Sequence, residues 1–92
     1  MADLRIVPLG ESHFRVTVTD PSSSTTHDVM VPAATISRLG WSSTPEDLLR
    51  HSFEFLLARE RKESILPAFT IDVIGRYFPE WESVARAGFS PT

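Results

Sequence analysis

Residues 45–62, PEDLLRHSFEFLLARERK, constrain the fold more than any other stretch, because they read as one helix too apolar for an open surface. Thr44 is placed to accept a hydrogen bond from the backbone of position 47. Pro45 sits where a missing N–H costs nothing, and Glu46 and Asp47 face the positive helix end. Leu49, Phe53, Leu56 and Leu57 recur at helical spacing and make one stripe. Leu48 and Phe55 widen it to about 200°, against the roughly 100° of a one-sided surface helix. Asp47, Arg50, His51, Glu54, Arg61 and Lys62 take the opposite side. Such a helix must be covered from two directions, by its own chain folded back or by a second copy.

The chain on either side of the helix is expected to supply that cover. Its 92 residues make one domain, 1–92. A chain this short buries only about 60–65% of its unfolded surface. A hydrophobic fraction of 41% is enough for a globule, and a charged fraction of 23% with net charge −3 does not suggest wholesale disorder. No apolar run approaches the ~20 residues of a membrane span. The start, MADLRIVPLGES, lacks the basic and apolar segments of a signal peptide. There are no cysteines, which excludes disulfides, thiolate zinc sites and Cys nucleophiles. These features together lead to an expectation of a cytoplasmic protein. Arg59, Arg61 and Lys62, the densest basic cluster, are interleaved with Glu60 and Glu63, which disfavours a nucleic-acid face.

Before the helix the pattern is that of strands. In HFRVTVTD (13–20), Phe14, Val16 and Val18 alternate with Arg15, Thr17 and Thr19, which predicts one dry face. Asp20-Pro21-Ser22-Ser23 is turn chemistry. THDVMV (26–31) returns with Val29 and Val31 on one face, so an antiparallel hairpin is expected. LRIVPL (4–9) is a possible third strand, kept to an edge or an end by Pro8. Residues 32–39 then predict a short helix ended by Gly40, with Trp41 packing back on Ile36.

Behind the helix, ESILPAF predicts a bend or single turn around Pro67. Thr70 is a candidate cap for a short helix over 71–78, with Ile71, Ile74 and Phe78 on one face and Gly75 weakening it. Pro79 opens a last helix over 79–87, with Gly88 as its cap and Phe89 reaching Val84. Ser90–Thr92 are expected to fray. The expected fold is therefore α+β: a hairpin or three-stranded sheet over 4–31, packed on a long central helix with two short C-terminal helices.

No residue pattern assigns an activity. His13, His27 and His51 do not converge and are expected on the solvated surface. Asp47 and Glu54 share a face with His51, yet a zinc site needs three or four ligands in preset geometry. There is no nucleophile motif and no P-loop. Glu80 and Glu82 could in principle do acid–base work, but their place at a helix start gives them a structural role. No catalytic residue, cofactor or metal is expected. The aromatic cluster Tyr77, Phe78, Trp81 and Phe89, beside Arg76, has the composition of interface anchors. Candidate interaction residues are therefore Trp41, Leu48, Phe55, Arg76, Tyr77 and Trp81. The expected partner is another protein or a second copy of the chain, with no membrane.

Two resemblances add to this. SFEFLLARERKESIL (52–66) and FTIDVIGRYFPEWE (69–82) resemble a family of short prokaryotic proteins, which implies a small bacterial or archaeal protein and no particular activity. HDVMVPAATISRLG followed by TPEDLLRHSFEFLLARE is similar to a ribbon-helix-helix unit. That likeness implies an interlocked dimer whose paired strands turn Thr26, Asp28 and Met30 to the DNA major groove, as in an antitoxin or repressor. Asp28 fits phosphate-rich DNA poorly, and the preceding strand competes for the edge a dimer mate would use.

Overall fold

Alternation fixes the sheet. In the computed structural model, which describes residues 3–89, strand β2 (His13–Thr19) buries Phe14, Val16 and Val18 and turns Arg15 and Thr19 outward. It pairs antiparallel with β3 (Ser24–Met30) and with β1 (Asp3–Pro8), which forms one edge and ends at Pro8. The turn is anchored by the Asp20 carboxylate, which accepts from the backbone of Ser22 and Ser23 at 2.9 and 3.0 Å. Thr19 pairs with Ser24, which places His27 opposite Val16.

A fourth strand, β4 (Ala68–Thr70), lies where the sequence suggested only a bend. It pairs parallel to β3, giving the order β1-β2-β3-β4. The fold is α+β, with this mixed sheet and four α-helices among the described residues.

Helix α1 (Ala33–Leu39) ends in the expected Schellman arrangement. Gly40 takes a left-handed φ of 65°, and the Gly40 and Trp41 N–H groups donate to Ser37 and Ile36. Helix α2 (Pro45–Leu57) starts as expected, with the Asp47 N–H donating to Thr44 Oγ1 at 3.0 Å. It stops at Leu57 rather than Lys62. The Arg59 and Glu60 N–H groups both turn back to the Leu56 carbonyl, and Arg61 is extended at ψ 153°. The early stop lets Lys62 reach the β2–β3 turn. Its ammonium donates to Asp20 and Glu63 at 2.6 and 2.8 Å, with the side chain only 5% exposed.

The stripe on α2 is covered from both sides by its own chain. Toward the sheet, Phe53 meets His27 and Phe69 at ring distances of 5.5 and 6.2 Å. Toward the tail, Ser52 accepts from the Trp81 indole at 3.0 Å, and Phe55 meets Phe78 edge-on at 5.9 Å. Helices α3 (Val73–Tyr77) and α4 (Glu80–Arg86) supply that second cover. Thr70 belongs to β4 and does not cap α3. Arg38 on α1 bridges Asp72 and Glu82, which ties α1 to the tail. Gly88 and Phe89 finish α4 as expected, with the Phe89 N–H on the Val84 carbonyl at 2.8 Å. The expected fraying of Ser90–Thr92 lies outside the described residues.

Candidate interaction groove

The largely apolar groove arises where α2 stops early. The last turn of α2 contributes Leu56 and the following turn contributes Glu60. The connection to β4 adds Ser64, Ile65 and Leu66, and β4 itself adds Phe69. Val73, Ile74, Tyr77 and Phe78 close the far side. The volume is about 200 Å³. That exceeds the ~150 Å³ that accepts a benzene ring and is smaller than the ~300 Å³ at which drug-sized sites begin. It suits one aromatic or branched side chain.

Two anchors hold this region in shape. The first is the Lys62 clasp. The Asp20 carboxyl is held well below the usual range, chiefly by its hydrogen bond from Lys62, and Lys62 is raised by the same bond. The second is His27. Contrary to the expectation of a solvated surface histidine, its side chain is only 2% exposed. Nδ1 lies 2.8 Å from the Leu66 carbonyl, which can only accept, so Nδ1 carries the proton. Nε2 then accepts from Thr25 Oγ1 at 2.8 Å. Because the Leu66 backbone is pinned inward, its side chain is left 43% exposed beside the groove.

Polar groups at the groove are few. Glu60 is the sole charged residue in the lining, is half-buried, and makes no ion pair among the described residues. Arg59, next to it in sequence, is committed elsewhere. Its guanidinium lies 3.6 Å from the Phe55 ring centroid, donates to the Phe55 carbonyl, and faces Glu80 at 3.5 Å.

The six candidate interaction residues do not form one surface. Leu48, Phe55 and Trp81 are core, at 0%, 7% and 1% exposure, because the chain covers its own stripe. Trp41 is half-buried. Its indole donates to the Thr44 carbonyl at 2.9 Å and its ring meets Phe89 edge-on, so it fastens the α1–α2 connection to the tail. Arg76 is exposed on α3. Tyr77 is 69% exposed and is the one member of the set that lines the groove.

The sequence reading missed Glu60, Leu66, Phe69 and Val73. A signal existed: Ile65, Phe69 and Ile71 fall on one face of a two-residue alternation, but Pro67 sits in its middle and masked it. Glu80 and Glu82 are both in ion pairs, with Arg59 and with Arg38 and Arg86. The Arg38 guanidinium, then Arg86, hold the Glu82 carboxyl below its ordinary range. His51 does sit between Asp47 and Glu54, at 3.6 and 3.5 Å. Among the described residues, no three His, Asp or Glu side chains are grouped to share a metal ion. None of the helices is long and apolar enough to cross a membrane, again among the described residues. No family model, curated protein or solved structure matches the chain.

Proposed function

We propose that this chain is a non-catalytic protein-interaction module that captures an apolar side chain of a partner protein in the groove between α2, β4 and α3. The observation that carries this is the open groove of about 200 Å³ with Leu66 and Tyr77 exposed beside it. An exposed Tyr over an apolar recess is the arrangement of an interface anchor. The wide stripe on α2 no longer argues for a partner, because its Leu48 and Phe55 are buried within one chain. The lack of cysteine agrees with a reducing compartment, so we place the module in the cytoplasm.

The ribbon-helix-helix reading is less well supported. Such a dimer needs a free edge on the strand before the short helix. Here that strand is β3; β2 takes one edge along its length and β4 takes the other over Asp28–Met30. The test is amide chemical-shift mapping of the full chain with short apolar peptides at millimolar concentration. Shifts clustered on Leu66, Phe69, Val73 and Tyr77 are expected. Shifts confined to other surfaces, or none, would overturn the reading.

A further inference from the structure

We propose that the partner enters as an extended peptide that adds to the open edge of β4, seats one large apolar side chain in the groove, and sets a basic residue against Glu60. This rests on the reading of the chain as an interaction module and adds the chemistry of its partner.

The backbone argument comes first. β4 is the end strand of the sheet. The Asp28 N–H donates to the Pro67 carbonyl and the Ile71 N–H donates to the Met30 carbonyl. In a parallel ladder alternate residues face the neighbour, so Pro67, Phe69 and Ile71 point their backbone groups at β3. Ala68 and Thr70 therefore turn theirs to the open side. No other backbone group among the described residues bonds to them there. An unpaired edge is a template for a further strand, and strand addition supplies affinity through the main chain and specificity through pockets for alternate side chains. Here Phe69 on the same strand lines the groove, so a strand laid along β4 passes beside it.

The side-chain argument is one of size and charge. The groove holds one aromatic or branched side chain. Its lining carries one carboxylate, Glu60, with no paired cation among the described residues. The complementary occupant carries an apolar residue with Lys or Arg close by. A second copy of this chain docking through its β4 does not fit. Its own β4 spans only about 10 Å. Residues 63–72, ESILPAFTID, would bring Glu63 and Asp72 to the site and hold no basic residue.

The experiment pans a phage-displayed random heptapeptide library against the full chain, with Tyr77→Ala as counter-selection. Tyr77 is exposed, so that variant keeps the fold, which a thermal melt checks. Binders are expected to share Leu, Ile or Phe with Lys or Arg within two positions. Glu60→Gln should weaken them roughly threefold to fivefold, and Glu60→Lys should redirect selection to acidic neighbours. N-methylation of alternate peptide amides should cost roughly fivefold or more. Binders that depend on Tyr77 but ignore Glu60→Gln overturn the partner chemistry and leave the module reading standing. Insensitivity to N-methylation overturns strand addition alone. A library with no peptide whose capture depends on Tyr77 overturns both.

Discussion

The Lys62 side chain is 5% exposed, and its ammonium is held by Asp20 on the β2–β3 turn and by Glu63 beside it. The Asp20 carboxyl is lowered in the fold, so its contribution to stability is whole above its unfolded value near pH 3.9 and is lost as pH falls. The Lys62 ammonium is raised, so its contribution is whole below about pH 10.4 and is lost as pH rises. The clasp is therefore complete from about pH 5 to 9. Asp20→Asn should lower the urea midpoint by a constant amount across that window, and the gap from wild type should shrink below about pH 4. A gap that persists unchanged to pH 2 would show that the turn, not the ion pair, is what the substitution damages. A neutral pair inside the core makes a sharper case. Ser52 is fully buried and accepts the Trp81 indole N–H. Ser52→Ala removes the acceptor and leaves the donor unsatisfied, at a cost of about 1–3 kcal/mol measured by urea unfolding. A Ser52→Ala protein as stable as wild type would mean that water or a neighbouring carbonyl takes the indole proton.

Elements were legible in proportion to how local their causes are. The Thr44 cap, the Gly40 and Gly88 turns and the β2–β3 alternation each depend on a few adjacent residues, and each stands where the sequence put it. The end of α2 was not legible. Residues 58–62 keep a helix-forming composition, yet the chain turns back on the Leu56 carbonyl at Arg59 and Glu60 and places Lys62 against the distant Asp20, a contact that local composition does not announce. β4 was hidden for a similar reason. Three residues carry almost no intrinsic signal, and the strand exists because β3 offers an edge and the His27 ring fixes the Leu66 carbonyl. His27 itself was readable, since alternation puts it on the same face as Val29. The groove was the least legible feature, because it forms only when the end of α2, β4 and α3 are brought side by side. Gly75 in α3 tests one local expectation. A Cβ there would lie 3.5 Å from the Trp81 ring, an ordinary contact. Gly75→Ala should therefore gain helix stability without a clash and raise Tm by roughly 2–6 °C. A fall in Tm would mean that Trp81 is pressed closer to α3 than this contact allows.

At the scale of the whole molecule, Phe53 joins what the topology would otherwise leave as two layers. Its ring meets His27 on β3 and Phe69 on β4, while Ser52 and Phe55 on the same helix hold the tail through Trp81 and Phe78. Truncating Phe53 thus opens a cavity at the junction of helix and sheet, at a cost of about 3–5 kcal/mol. The total stability of a domain this small is near the low end of about 5–15 kcal/mol, so Phe53→Ala should leave the chain largely unfolded or close to it at 37 °C. Tyr77 occupies the opposite extreme. It is 69% exposed, and its ring stands at the groove without closing the core. Tyr77→Ala should change unfolding free energy by no more than about 0.5 kcal/mol, the usual range for a surface position. Parallel thermal melts of the two variants give the comparison. If Tyr77→Ala melted as early as Phe53→Ala, the ring would be a structural lid, and the groove would be a packing defect with no face to offer a partner. If Phe53→Ala melted like wild type, the layers would be joined elsewhere, and the position of the groove between them would lose its physical basis.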